Sequence, residues 1–66
     1  MIKERMCYVA SDPSQPGTAW AAIVDDPAYA KDTAKEISKW IKKGAHILRV
    51  SAPEAREMLI KWERHA

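Results

Sequence analysis

The groups in this chain that could carry out covalent chemistry are one cysteine and two histidines. Cys7 could act as a thiolate nucleophile and His46 as a general base, but each needs a neighbour that tunes its pKa. Cys7 lies in a predicted strand, His46 starts another strand, and His65 lies at the carboxyl end. No sequence spacing brings two of these groups together, and only a dimer that joined two His46 side chains would supply a pair. We therefore expect no catalytic residue, and a protein that is not an enzyme.

Asp25 and Asp26 are adjacent carboxylates, a residue type that hard metal ions prefer. They directly precede Pro27 at a predicted helix start, where an aspartate caps free backbone N–H groups. Gly17 and Gly44 are the only glycines, so the chain has no glycine-rich phosphate loop. The sequence therefore predicts a helix cap here, with no metal and no cofactor.

A predicted helix within residues 25–44 has two chemically distinct faces. Its apolar side carries four small or aliphatic residues, with a threonine and a tryptophan at the edge: Ala30, Ala34, Ile37, Ile41, Thr33 and Trp40. Its other side carries lysines: Lys31, Lys35, Lys39, Lys42 and Lys43. Like charges four residues apart destabilise an isolated helix, so the lysines indicate an anionic partner. The alternative is a lysine face that only solvates the helix.

Composition and charge limit the protein classes that fit. The 66 residues suffice for one domain, residues 1–66, and 11 of the hydrophobic residues are alanine. A core this small is marginal, and one cysteine provides no intrachain disulfide, so we expect a homodimer or a larger protein partner. No apolar run is long enough to span a bilayer, and MIKERM is unlike a signal peptide. We expect a cytoplasmic protein without a membrane partner.

Charge is unevenly distributed along the chain. Residues 1–30 carry two basic and four acidic groups, whereas residues 31–66 carry nine basic and five acidic groups. The net charge of +2 is modest for a dedicated nucleic-acid-binding domain. Nucleic acid nevertheless remains a possible partner for the basic half.

Local patterns predict five elements. Apolar and β-branched residues predict strands over residues 3–10, 18–24 and 45–50, with a turn over residues 11–17. The first helix is predicted to begin at Pro27 and to end before Gly44. Ser51 and Glu54 form a capping box that starts a second helix, which ends near residue 65.

The order β-β-α-β-α predicts an α+β fold. A right-handed return through the first helix places the third strand beside the first, giving a mainly antiparallel sheet of order 2-1-3. Both helices are amphipathic on one side, so we expect them to cover the same face of the sheet. The other face is then bare. One strand parity places on it the contact set Trp20, Ala22, Val24, Ile47 and Arg49. The opposite parity of the second strand would instead place Trp20 in the core.

Two functional classes fit these observations. The first is a small non-enzymatic binding or adaptor protein, of bacterial or phage accessory type, that contacts protein through the bare sheet face. The alternative is a nucleic-acid-binding module whose lysines contact phosphates without reading the sequence. No motif in the chain indicates a known family.

Overall fold

The computed structural model describes residues 5–65, which form three strands, one short 3-10 turn and two α-helices. The elements are β1 (Met6–Ser11), β2 (Ala21–Val24), the 3-10 turn (Pro27–Tyr29), α1 (Ala30–Lys42), β3 (His46–Ser51) and α2 (Ala52–His65). The predicted order β-β-α-β-α is confirmed. The second strand is shorter than predicted, and residues 3 and 4 of the predicted first strand lie outside the described residues.

The sheet is antiparallel and its strand order is β2-β1-β3. Val9 in the central strand lies opposite Ala22 on one side and Leu48 on the other. The predicted α+β class, topology and strand order are therefore confirmed. Strands β2 and β3 run parallel to each other, and α1 is the crossover that connects them.

The expected bare sheet face does not exist, because the two helices lie on opposite faces. Val9 and Ala10 are both 0% exposed, and successive strand residues point to opposite faces. On the Val9 face, Cys7 and Val9 pack in one cluster with Ala55 and Met58 of α2. The prediction that both helices share one face is wrong in this respect.

Helix α1 covers the other face, where it contacts β3 and β1. Thr33 and Trp40 are its buried residues. The ring of Trp40 meets the ring of Trp20 edge to face, with centroids 6.2 Å apart. This pair lies near Ala10, whose carbonyl accepts the backbone N–H of Trp20 at 3.0 Å.

The helix ends follow the predicted local chemistry in part, since α1 begins at Ala30 and not at Pro27, and the described hydrogen bonds include only the Ser51 half of the capping box. The Asp26 carboxylate accepts the backbone N–H of Ala28 at 2.9 Å, and Pro27 begins the 3-10 turn that leads into α1. Gly44 ends α1 with φ +88°, a conformation that glycine adopts readily. At the start of α2, the Ser51 hydroxyl accepts the backbone N–H of Glu54 at 3.4 Å.

Candidate interaction surface

The groups considered for catalysis have separate structural surroundings. Cys7 is buried in the cluster under α2, and His46 is exposed at the start of β3. The Asp26 carboxylate caps the 3-10 turn, and the Asp25 carboxylate accepts a hydrogen bond from Arg49. His65 ends α2, and its side chain lies outside the described part of the chain. Among the described residues, no group of three or more histidine, cysteine or acidic side chains is arranged to hold a metal ion.

The five residues predicted to share a bare sheet face lie in different places. Ala22 and Val24 pair with Val9 and Cys7, so they are on the face that α2 covers. The prediction that all five residues form one contact face is therefore wrong.

The remaining three members of that set lie on the α1 side. Ile47 and Arg49 are opposite Ala10 and Tyr8 in β1. Trp20 precedes β2 and packs against Trp40 of α1. The five residues lie on two faces because the bend before β2 and the strand register determine to which face each side chain points.

The predicted lysines are all exposed, but they have different surroundings. Lys39 Nζ lies 3.5 Å from a carboxylate oxygen of Glu36. Lys43 Nζ lies 5.6 Å from the ring centroid of Trp20, within cation–π range. Each of these two lysines therefore has an interaction partner within the protein, so its presence does not require an external anionic partner.

The other three lysines form an outer row, which we define as Lys31, Lys35 and Lys42. Helix periodicity of about 100° per residue places them on the side of α1 opposite Trp40. Within residues 5–65, none of the three makes a salt bridge. The outer row is therefore the part of the basic helix that is available to an anionic partner.

The apolar side of α1 is rotated away from the predicted position. Thr33 and Trp40, expected at its edge, are the buried centre, whereas Ala30, Ala34 and Ile41 are exposed. Ile41 is 57% exposed. Burying an indole ring removes far more apolar surface from water than burying an alanine does, which explains the rotation.

This rotation leaves apolar side chains exposed beside β3, a feature that sequence reasoning missed. A concavity of about 340 Å³ is lined by residues of α1, β1 and β3 that include Ala30, Ala34, Ile37, Tyr8 and Ile47. We define the α1–β3 surface as Ala30, Ala34, Ile37, Ile41 and Ile47. The signal that could have revealed it is Trp40, because its size makes it the natural centre of the buried side.

Arg49 and Asp25 form an ion pair that also was not predicted. Arg49 Nε donates to Asp25 Oδ2 at 3.0 Å, across the sheet from β3 to the end of β2. The hydrogen bond to Asp25 raises the pKa of Arg49, with a further contribution from the negative charge of that carboxylate. The ion pair holds the Arg49 side chain over the protein's own sheet.

Comparisons with protein-family models, curated proteins and solved structures find no match. In the part of the chain that the structure describes, no helix is both long and apolar enough to cross a membrane.

Proposed function

We propose that this protein is a small non-enzymatic binding protein that acts through protein–protein contact at the α1–β3 surface. The observation that carries the proposal is the exposure of Ile41, at 57%, on a helix flank that also exposes Ala30 and Ala34. Contiguous exposed apolar side chains are a feature of interaction sites rather than of solvated surfaces. The proposal replaces the bare sheet face with this surface.

The edge of β3 adds hydrogen-bonding capacity beside the apolar side chains. Strand β3 pairs with β1 alone, so its outer backbone groups have no strand partner within residues 5–65. A partner strand added to such an edge gains main-chain hydrogen bonds, while neighbouring pockets hold its side chains. Ile37 of α1 and Ile47 of β3 line a common concavity of this kind.

A photo-crosslinking residue placed at Ile41 tests the proposal in the cells that make the protein. We expect a covalent protein adduct at Ile41, identified by mass spectrometry. The matched control is the same residue at Ser38, which is exposed on α1 but lies towards the outer lysines. Absence of any Ile41 adduct above the Ser38 control would contradict the proposal.

The outer lysine row supports a second candidate, sequence-independent nucleic-acid binding. Lys31, Lys35 and Lys42 lie on one side of α1 without salt bridges to the described residues. Lysines that contact phosphates displace counterions, so affinity should fall with salt by about one power per contact.

A charge-matched pair of variants tests this candidate. Replacing Lys31, Lys35 and Lys42 by glutamine should abolish binding to duplex and single-stranded oligonucleotides in a low-salt titration. Replacing the exposed α2 cations Arg56, Lys61 and Arg64 by glutamine changes the net charge equally and should preserve binding. Lack of wild-type binding at low salt would eliminate the nucleic-acid candidate.

A further inference from the structure

The two sheet edges differ in how they are protected. Strand β2 has four residues, follows a bend at Trp20 and leads into Pro27. Strand β3 has six residues, His46–Ser51, and contains neither proline nor lysine. Natural proteins usually shorten an edge strand, or place proline or lysine on it, to prevent pairing with another chain. Strand β3 has none of these protections.

The single arginine of β3 does not protect the edge either, because Arg49 reaches across the sheet to Asp25. Apolar side chains remain exposed on both sides of this strand. Leu48 is 43% exposed on the α2 side, and Ile41 is 57% exposed on the α1 side. A strand that paired with β3 would cover Leu48, and Ile41 lies on the same helix flank as Ile37, which lines a concavity with Ile47 of β3.

We infer that the edge of β3 is occupied by a second copy of this chain, in an antiparallel pair around a two-fold axis. The inference rests on the proposed function and names the partner at the same surface. The small core supports it, since Val9, Trp40 and Met58 are the only buried hydrophobic residues of the described part of the chain that are larger than cysteine. A domain of 66 residues is only marginally stable, so the apolar area buried in a dimer would add to its stability.

The distribution of charge on α1 does not oppose a second copy. In the two-fold pair, the apolar flank of one α1 faces the apolar flank of the other. Lys31, Lys35 and Lys42 lie on the outer side of each helix, so pairing does not bring the two rows into contact. The pair therefore buries apolar side chains without a like-charge penalty.

The strand pattern selects one register. In a continuous sheet, directly opposite residues point to the same face. The two-fold axis must therefore pass between one residue of β3 and the same residue of the second copy. An axis at Leu48 places Leu48 opposite Leu48 of the second copy, and Ile47 opposite Arg49. An axis at Arg49 would place two arginines opposite each other, which is unfavourable. The Leu48 register also pairs His46 with Val50 and uses most of the strand.

Engineered disulfides test both the pair and its register. Under mild oxidation, Leu48→Cys should form a covalent dimer at least about tenfold faster than Ile47→Cys, because cysteines in offset pairs lie beyond disulfide range. The wild type controls for Cys7, which is buried. Equal rates for the two variants would overturn the register.

Light scattering of the unmodified protein provides a test that does not depend on a variant. We expect twice the chain mass of 7.5 kDa at high micromolar concentration. Ile41→Glu should shift the protein to the monomer, whereas Ser38→Glu on the same helix should not. A wild-type monomer overturns the second-copy inference, but the proposed function survives if the Ile41 probe captures a different protein. Absence of both a dimer and an adduct overturns both.

Discussion

Thr18 and Thr33 are both almost fully buried, at 4% and 6% exposed, yet their hydroxyl groups have different surroundings. The Thr18 hydroxyl donates to the Gln15 carbonyl at 2.7 Å and closes the loop before β2. The Thr33 hydroxyl has no hydrogen-bond partner within the described residues. A buried polar atom without a partner costs free energy, whereas a paired one stabilises modestly.

Valine substitutions at these two positions should therefore have different effects on the free energy of unfolding. Thr33→Val removes an unpaired hydroxyl and should leave the free energy of unfolding unchanged or raise it by up to about 1 kcal/mol. Thr18→Val is the matched control and should lower it by about 1 kcal/mol, since a hydrogen bond is lost. Urea denaturation measures both values, and a larger loss for Thr33→Val than for Thr18→Val would contradict this account.

Asp12 is the residue for which the structure predicts a pH dependence. The backbone N–H of Ser14 donates to its carboxylate at 2.9 Å and the Ser14 hydroxyl at 2.8 Å, and these bonds lower the pKa of Asp12 below its ordinary value of 3.8. The charged carboxylate therefore stabilises the fold above the ordinary pKa. That contribution is lost as the pH falls through the lowered pKa.

An NMR titration of the Asp12 carboxyl carbon should give a midpoint below 3.8. Ser14→Ala keeps the backbone N–H but removes the hydroxyl, so the midpoint should rise part of the way back. A wild-type midpoint at or above the ordinary value would show that these bonds do not persist in solution.

At the scale of elements, the carboxyl end of α1 determines where the chain enters β3. Gly44 N–H donates to the Ile41 carbonyl at 2.9 Å, and Ala45 N–H donates to the Trp40 carbonyl at 3.0 Å. These bonds satisfy carbonyls at the helix end and require a positive φ at Gly44. The same turn directs the chain into β3, so the position of the exposed edge depends on it.

Gly44→Ala should lower the free energy of unfolding by about 1–2 kcal/mol, because an L-residue is strained in this conformation. No atom lies within 4 Å of a Cβ built at Gly44, so the effect should come from the backbone alone. Gly44→Asn is the control and should cost less, since asparagine tolerates a positive φ better. Thermal or urea unfolding of the two variants compares them, and equal stability of Gly44→Ala and wild type would refute the argument.

At the scale of the whole molecule, β1 is the centre of the protein. It is hydrogen-bonded to β2 and β3 along its two edges and covered by one helix on each face. Helix α1 and both outer strands have solvent on at least one side. Local stability should therefore decrease outward from β1.

Hydrogen exchange should show this gradient. In a dilute sample, the backbone amides of residues 7–10 should exchange most slowly, since their opening requires loss of both strand pairs and both helices. The outward-facing amides of β2 and β3 serve as the internal comparison and should exchange sooner. Slower exchange in α1 than in β1 would mean that the helix, and not the central strand, is the most stable element.

The sequence by itself determined the features that depend on neighbouring residues. The cap at Asp26 and the positive φ at Gly44 follow from interactions within a few residues, which local patterns encode. The strand order 2-1-3 was also predictable, because a β-α-β crossover restricts where the third strand can pair.

Only the tertiary structure decided which faces are covered and which surface is exposed. Ala52 follows Ser51 without a loop, and amphipathicity alone does not say to which side of the sheet α2 turns. The unbroken apolar run of residues 6–10 is typical of a strand buried on both faces, as β1 is, but it does not say which helix covers which face. The rotation of α1 depends on the packing of Trp40 against Trp20, and these two residues are far apart in the sequence. Such choices depend on burial summed over the whole molecule, so local periodicity does not specify them.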